Sequence, residues 1–327
     1  MRVIRNAMLV GIFVSATATA MERPVHTYSI VARDSITGDL GVAVQSHWFS
    51  VGSVVPWAEA GVGAVATQSF VDASYGPLAL EMLRAGKSAE DALRGLVAAD
   101  GRADVRQVAI VDATGRVATH TGAHCIAAAG HVSGKGWSAQ ANLMERDTVW
   151  RAMGRAFETT SGELPERLVA ALAAAQAEGG DIRGQQSAAL LVVRAHTTGR
   201  VWEDRLVDLR VEDHADPVGE LRRLLTVHRA YQQMNAGDLA IEKNDVAAAA
   251  RAYGAAEALA PDNAEMLFWH AIALAGVGRV DDARPLLARA YALHPPWRRL
   301  VERLPSSGLL DKKLVSQLKD VPAERRP

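Results

Sequence analysis

The order of strand-like and helix-like segments constrains the fold of this chain more than any other feature of its sequence. Apolar and polar residues first alternate with the period of β-strands, a pair of helical patterns follows, and the same succession then repeats before a final pair of strands. The predicted strands are Thr27 to Arg33, Leu40 to Trp48, Val62 to Phe70, Val105 to Asp112, Arg116 to Thr121, Cys125 to Ala129, Trp137 to Ala141, Ser187 to Ala195 and Arg200 to Asp208. The predicted helices are Tyr75 to Ala85, Ser88 to Ala99, Arg146 to Thr159 and Glu163 to Glu178. Two largely antiparallel sheets packed face to face, with helical layers outside, accommodate this order, so we predict an α+β fold, a four-layer αββα sandwich, over residues 26–212.

The chain becomes wholly helical from about residue 216, and an internal repeat appears there. Leu259-Ala260-Pro261 recurs as Leu293-His294-Pro295 at a spacing of 34 residues, which is the period of the tetratricopeptide repeat (TPR). Small and bulky residues recur in the same register, with Tyr253 matching Leu287. We therefore predict a TPR-like helical domain over residues 216–320, in which Tyr253 and Leu287 are buried at equivalent places.

The first 20 residues have the composition of a secretory signal peptide. Arg2 and Arg5 form a positive start, Ala7 to Val14 an apolar centre, and Ala18 to Ala20 a small-residue cleavage site. The apolar run is too short to span a bilayer. We expect this segment to be removed and the mature protein to be periplasmic or secreted; the alternative is that Met21 is the true start.

Charge and cysteine content exclude several classes of function. The formal net charge is −1, so nothing in the balance favours nucleic acid or an anionic membrane surface as a partner. The single cysteine, Cys125, excludes an internal disulfide. It is more simply interpreted as a small buried residue than as a nucleophile paired with a histidine. The spacing of Cys125 and its neighbours His120, His124 and His131 fits no closed zinc pattern, so we predict no metal.

Several runs of residues carry a resemblance to a known family. They are Thr27-Tyr28-Ser29-Ile30-Val31-Ala32-Arg33-Asp34, Gly41-Val42-Ala43-Val44-Gln45-Ser46-His47, Val51-Gly52-Ser53-Val54-Val55-Pro56-Trp57-Ala58, Gly61-Val62-Gly63-Ala64-Val65-Ala66-Thr67-Gln68, His120-Thr121-Gly122, Gly130-His131 and Gly180-Asp181-Ile182-Arg183-Gly184-Gln185-Gln186-Ser187. In these runs the chain resembles the bacterial family known as domain of unknown function 1028, assigned to the superfamily of N-terminal-nucleophile (Ntn) hydrolases. The resemblance covers residues 26 to about 210 and leaves the helical tail outside.

The resemblance implies a four-layer sandwich with Thr27 in the position of the superfamily's nucleophile. In that chemistry the hydroxyl attacks a carbonyl, and the chain's own α-amine, with a pKa near 8, serves as the base. Thr27 must therefore become N-terminal. The lysine that proteasome-like enzymes carry on the third strand has no counterpart in Gly61 to Gln68. The base is then the Thr27 amine or His47; the competing interpretation of Thr27 is an ordinary strand threonine.

Polar residues at other strand ends complete the predicted site. The resemblance matches Gln45, Ser46 and His47 to the polar end of a second strand, and Asp181 and Ser187 to a late Asp and Ser. We predict Thr27, His47 and Asp181 as catalytic residues. The predicted substrate-binding residues are Gln45, Ser46, Thr67, Gln68, Asn142, Arg183 and Ser187.

Each of these polar residues also has a structural interpretation. The neutral amides and hydroxyls suit an oxyanion or a substrate carbonyl, and structural hydrogen bonding is the equal competitor. His47 suits proton transfer, or else is a satisfied structural group. Arg183 either clamps a substrate carboxylate or pairs locally with Asp181.

The predicted function is an Ntn-type amidohydrolase that cleaves a small amide or peptide-like bond outside the cytoplasm, with no cofactor. One alternative is a catalytically silent sandwich that binds a small ligand, with a TPR-like tail for protein partners. Another is a pure interaction protein in which the first domain is a scaffold. A homo-oligomer and a protein partner for the tail stay open, and no nucleic acid or membrane span is expected.

Overall fold

The computed structural model describes residues 27–324 of the chain. The predicted leader, residues 1–20, and His26 lie outside the described residues. The strands are β1 Thr27–Arg33, β2 Leu40–Ser46, β3 Pro56–Glu59, β4 Gly63–Ser69, β5 Arg106–Asp112, β6 Val117–Thr121, β7 Gly130–Gly134, β8 Trp137–Ala141, β9 Ser187–Val193 and β10 Arg205–Val211. The helices are α1 Tyr75–Arg84, α2 Ala89–Ala99, α3 Val149–Thr159, α4 Leu164–Ala177, α5 Val201–Asp204, α6 Pro217–Glu242, α7 Val246–Leu259, α8 Ala264–Gly276, α9 Val280–Leu293, α10 Trp297–Val301 and α11 Val315–Lys319.

Within residues 27–324 the strands form two sheets. One has six strands in the order β10-β9-β2-β1-β8-β7, and the other has four in the order β3-β4-β5-β6. Every neighbouring pair is antiparallel, in agreement with the largely antiparallel sheets predicted from the sequence. Strand β1 lies inside the larger sheet, between β2 and β8. The chain is thus a mixed α/β protein with two antiparallel sheets and a helical C-terminal region.

The alternation in β1 shows how the two sheets and their helices are layered. Tyr28 and Ile30 pack in one apolar core with side chains of α3 and α4. Val31 points the other way and packs in a second core with residues of β4 and β5, so this face of β1 meets the other sheet. The outer face of the four-stranded sheet packs on α1 and α2 in a third core. All seven residues of β2 are buried because both of its faces are covered.

Two predicted strands differ from those in the structure. Residues 125–129 form a loop, and the strand begins at Gly130. A side chain at Gly130 would overlap the indole of Trp150, so glycine is needed there for close approach rather than for turning. The strand predicted over Arg200 to Asp208 begins only at Arg205, because the preceding residues form the short helix α5. Strand β3, a short edge strand that starts with a proline, was not predicted.

Helix α6 connects the sheets to the helical region. Its N-terminal half contributes Val218, Leu221 and Leu225 to the core of the six-stranded sheet. Its C-terminal half packs against α7, where Met234 and Tyr253 share a small core. One continuous helix of 26 residues therefore belongs to both parts of the molecule.

The helical region confirms the burial expected from the repeat. Helices α6 and α7 pack together as one pair, and α8 and α9 pack together as another. Tyr253 is 1% exposed and Leu287 is fully buried. Helix α7 ends at Leu259 and α9 at Leu293, in each case two residues before the proline of the repeat. Among residues 27–324 no helix combines the length and apolarity needed to cross a membrane.

We predict opposite stability effects for alanine at two helical glycines. A side chain at Gly237 of α6 would overlap the ring of Tyr253, whereas one at Gly254 of α7 would meet nothing within 4 Å. Gly237→Ala should lower the free energy of unfolding by about 1–3 kcal/mol through overpacking. Gly254→Ala should raise it by about 0.5–1 kcal/mol through helix propensity. Urea denaturation followed by circular dichroism measures both, and equal effects would contradict the packing described here.

Candidate functional site

Polar strand ends converge on one edge of the two sheets, around Thr27. Thr27 is the first residue of β1, opposite Ser46 at the end of β2, and Ser46 is in turn opposite Ser187 at the start of β9. Just beyond β8, the backbone N–H of Asn142 donates to the carbonyl of Thr27 at 3.1 Å. This edge therefore brings together five of the predicted site residues: Thr27, Ser46, Gln68, Asn142 and Ser187.

Three hydroxyl groups lie in a row across β1, β2 and β9. Thr27, Ser46 and Ser187 are all fully buried. Thr27 Oγ1 donates to Ser46 Oγ at 3.1 Å. Ser187 Oγ, by contrast, accepts from the backbone N–H of Val51 at 3.0 Å and donates to the carbonyl of Trp48, which holds the loop after β2. The Thr27–Ser46 pair is therefore the candidate chemical centre, and Ser187 supports its neighbouring loop.

The carbonyl of Thr27 is held by amide groups from both sheets. Gln68 Nε2, from β4 of the smaller sheet, donates to it at 3.0 Å. Asn142 Nδ2 lies 3.5 Å from the same oxygen, in addition to the Asn142 backbone donor. Because several donors converge on one acceptor, the first peptide unit of β1 has a fixed position and orientation.

Sequence reasoning missed three further members of this polar layer. Gln107 of β5 accepts from Gln68 Nε2 at 2.7 Å, and Ser29 donates to Gln68 Oε1 at 2.6 Å. Gln140 of β8 donates to the carbonyl of Ala66 at 3.1 Å and so bridges the sheets. All three stand at inward positions of otherwise apolar strands. A buried amide destabilises the fold unless it is hydrogen-bonded. A glutamine at an inward position of an apolar strand was therefore the sequence signal that could have indicated this polar layer.

Asp181 is engaged in holding its own loop. Its fully buried carboxylate accepts from Arg183 Nη2 at 2.6 Å, from Arg183 Nε at 3.0 Å and from the Arg183 backbone N–H at 2.9 Å. It also accepts from the backbone N–H of His47 at 3.3 Å, which ties the loop to the end of β2. These contacts match the local ion pair that was one of the two interpretations of Asp181 and Arg183.

Three other predicted residues lie outside the polar layer around Thr27. The imidazole of His47 follows the end of β2 and is exposed. Gln45 is fully buried on the helix-covered face of the sheet, and within the described residues its amide group has no hydrogen-bond partner. Thr67 faces the outer helices and donates to the carbonyl of Asp72 at 3.1 Å. Since successive strand residues alternate faces, Ser46 and Gln68 reach the centre while Gln45 and Thr67 do not.

Unusual backbone conformations surround the same edge. Ser50, Ser69 and Leu143 adopt left-handed conformations, with φ values of 59°, 72° and 55°. They lie at or just beyond the ends of β2, β4 and β8, beside the Thr27 edge. Left-handed residues other than glycine are uncommon, and such residues cluster at functional sites. The loops that follow these strands therefore border the candidate site.

The surroundings of Cys125 disfavour a thiolate nucleophile at this position. Cys125 Sγ lies 3.3 Å from the carbonyl of Arg106, and burial raises the pKa of its thiol, which disfavours the thiolate. Across residues 27–324 no three His, Cys, Asp or Glu side chains are grouped as ligands of a metal ion.

Comparisons with known proteins place the chain in a family. No curated protein matches it. Residues 27–221 match the model of a family of unknown function, DUF1028. The crystal structure of protein SPO2555 from Silicibacter pomeroyi, assigned to that family, is 32% identical to this chain with a TM-score of 0.56. The alignment covers 66% of this chain and 89% of the other. This chain therefore belongs to the DUF1028 family.

Proposed function

We propose that the protein is an Ntn-type amidohydrolase with an αββα sandwich, acting on a small amide or peptide-like bond outside the cytoplasm. The observation that carries the proposal is the placement of Thr27. It is the first residue of an interior strand, its hydroxyl is paired with Ser46, and its carbonyl is fixed by Gln68 and Asn142. A nucleophile on a rigid strand with a fixed backbone is preorganised for attack. The proposed location outside the cytoplasm is inferred from the predicted leader.

The reaction begins once cleavage of the His26–Thr27 bond has freed the Thr27 amine. The hydroxyl oxygen adds to the carbonyl carbon of the amide, and its proton passes to the amine. The C–N bond then breaks, and the leaving nitrogen takes that proton. Water attacks the resulting ester, again with the amine as base, and releases the acid and the free hydroxyl of Thr27. No cofactor enters these steps.

The remaining residues take supporting roles in this proposal. Ser46 accepts a hydrogen bond from the Thr27 hydroxyl and orients it. Gln68 and Asn142 hold the backbone of the nucleophile, which differs from the oxyanion role expected from the sequence. Asp181 fixes the loop on which Arg183 stands and the start of the loop that carries His47. His47 is the exposed group that assists proton transfer with solvent and substrate.

We assign the tail to TPR-like helix pairs that bind a protein partner. The 34-residue spacing, the equivalent burial of Tyr253 and Leu287, and the prolines that follow α7 and α9 support this assignment.

A ligand-binding function is the second candidate, and a cavity of about 430 Å³ favours it. The cavity lies at the opposite end of the sheets from Thr27, between α4, α6, β9 and β10. Val192, Leu206 and Val207 form apolar walls, and Asp34 and Arg229 stand at its polar border. Its volume is that of a small-molecule pocket. If a chain that begins at Thr27 cleaves no amide, this function takes precedence.

Removal of the residues before Thr27 should switch the activity on. While Thr27 follows His26, its nitrogen is an amide and cannot accept the proton. We expect the protein from its native host to have the mass of a chain starting at Thr27, as measured by intact mass spectrometry. That form should hydrolyse members of a panel of small amides, and a form that starts at Met21 should not. Equal activity of the two forms would contradict an N-terminal nucleophile.

Thr27→Ala should abolish hydrolysis, whereas Thr27→Ser should retain it. An exposed hydroxyl would contribute little to stability, but Thr27 is fully buried and hydrogen-bonded, so Thr27→Ala should also cost about 1 kcal/mol of stability. Initial rates and thermal melting of processed chains separate the two effects. Full activity in Thr27→Ala would exclude this mechanism.

His47→Ala should lower the rate of hydrolysis, whereas Asp181→Ala should lower the stability of the fold. Removal of the His47 imidazole should slow hydrolysis severely, because the proposal gives this group a role in proton transfer. It should leave the melting temperature unchanged, because the side chain is exposed. Asp181→Ala removes a fully buried carboxylate that accepts from Arg183 and from the backbone N–H of His47, and it should lower stability by roughly 3–5 kcal/mol. Initial rates and thermal melting of the processed variants distinguish these two outcomes. Thr27→Ser serves as the reference for a variant that keeps its fold. Unaltered hydrolysis in His47→Ala would remove His47 from the mechanism.

A further inference from the structure

Gln107 is the hub of the polar layer between the sheets. It is fully buried on β5 and contacts five partners. Its Nε2 lies 2.9 Å from the carbonyl of Ala141, 3.2 Å from that of Gly130 and 3.0 Å from Thr121 Oγ1. Its Oε1 accepts from Gln68 Nε2 at 2.7 Å and from Asn142 Nδ2 at 2.9 Å. These last two are the amide side chains that reach the carbonyl of Thr27.

The two backbone carbonyls fix the polarity of this network. A carbonyl oxygen only accepts hydrogen bonds, so the Gln107 amide must turn its NH₂ group toward Gly130 and Ala141. Its oxygen is then directed at Gln68 and Asn142, and each of those side chains must present an NH₂ group to it. The same NH₂ groups carry a second hydrogen each, which is directed at the carbonyl of Thr27. A reversed amide at any of the three positions would set two donors or two acceptors against each other.

We propose that Gln107 is the positioning residue of the site: it sets the orientation of Gln68 and Asn142 and thereby holds Thr27 in place. The proposal deepens the proposed function and rests on it for its catalytic meaning. Gln107 acts across the interface, since it belongs to the four-stranded sheet and Thr27 to the six-stranded one. Without it, the amides of Gln68 and Asn142 lose their common acceptor, and the hydrogen bond from Ser29 to Gln68 Oε1 does not replace it. The carbonyl of Thr27 then keeps its backbone donor, the N–H of Asn142, but its two side-chain donors lose their fixed orientation.

The Thr27 carbonyl can be observed separately from any activity. Thr27-Tyr28 is the only Thr-Tyr pair in the sequence, so labelling with carbonyl-¹³C threonine and ¹⁵N tyrosine gives one cross-peak in an HNCO spectrum. A carbonyl carbon resonates further upfield when its oxygen loses hydrogen bonds. We expect the Thr27 resonance of Gln107→Met to move upfield. In the processed enzyme kcat should fall roughly a hundredfold, with KM little changed, because the nucleophile is misplaced while the binding surface persists.

Gln140→Met is the matched control. Gln140 is a fully buried glutamine in the same layer, and it donates to the carbonyl of Ala66 and to Ser29, so it reaches Gln68 only through the Ser29 hydroxyl and does not contact the NH₂ groups that hold Thr27. Its substitution should reduce stability and leave the Thr27 resonance in place. An unmoved resonance in Gln107→Met, or an equal movement in Gln140→Met, would overturn the proposal.

Gln107→Glu keeps the test decisive if Gln107→Met does not fold. Burial favours the protonated acid, whose O–H replaces the donor to a backbone carbonyl and whose C=O replaces the acceptor for Gln68 and Asn142. This variant should keep the wild-type Thr27 resonance at a pH where its carboxyl is protonated. A displaced resonance under that condition would contradict the assigned polarity. If the resonances behave as expected and no amide is ever hydrolysed, the positioning role stands and the proposed function fails.

Discussion

The need to hydrogen-bond buried amides shapes the layer between the two sheets of this protein. The facing surfaces of the two sheets are apolar toward the Asp34 turn, where Val31, Val42 and Val111 pack together. Toward Thr27 they carry Gln68, Gln107 and other polar side chains instead. Burying an amide without a hydrogen-bond partner destabilises the fold by about 1–3 kcal/mol. These side chains avoid that cost because they hydrogen-bond to one another. Their bonds run between the sheets and therefore fix how one sheet sits on the other at this edge.

That constraint explains why the first residue of β1 is so firmly held. Donors from both sheets meet at the carbonyl of Thr27, and its hydroxyl is bound to Ser46. The loops beyond the neighbouring strands must then pass over a rigid edge. Left-handed residues such as Ser50 and Leu143 turn the chain there. The carboxylate of Asp181, which binds the backbone N–H of His47, secures the loop before β9 to the same edge.

Helix α6 gives the helical region a fixed attachment to the sheets. Leu221 and Leu225 are buried against the six-stranded sheet, and Met234, further along the helix, is buried against α7. Because an α-helix is stiff over this length, the orientation of the first helix pair follows from the packing of the sheet. In the proposed function, a partner bound to the tail would thus have a defined position relative to the sheets.

The sequence by itself determined the type and order of most elements. Period-two alternation identified strands such as β1 and β5, and the 34-residue recurrence identified the burial of Tyr253 and Leu287. These are local or periodic signals, which a single chain displays directly. It also indicated Thr27, Ser46, Gln68 and Asn142 as polar residues at strand ends.

Only the tertiary structure decided which of these side chains meet. Gln45 and Ser46 are adjacent in sequence, yet the pleat sends one toward the helices and the other toward Thr27. The start of β7 at Gly130 depends on the approach of Trp150 from α3. The central place of Gln107 depends on partners 39 and 35 residues away along the chain, on another strand of its own sheet and beyond β8 of the other. No local pattern encodes such contacts, because they arise from the packing of one sheet on the other.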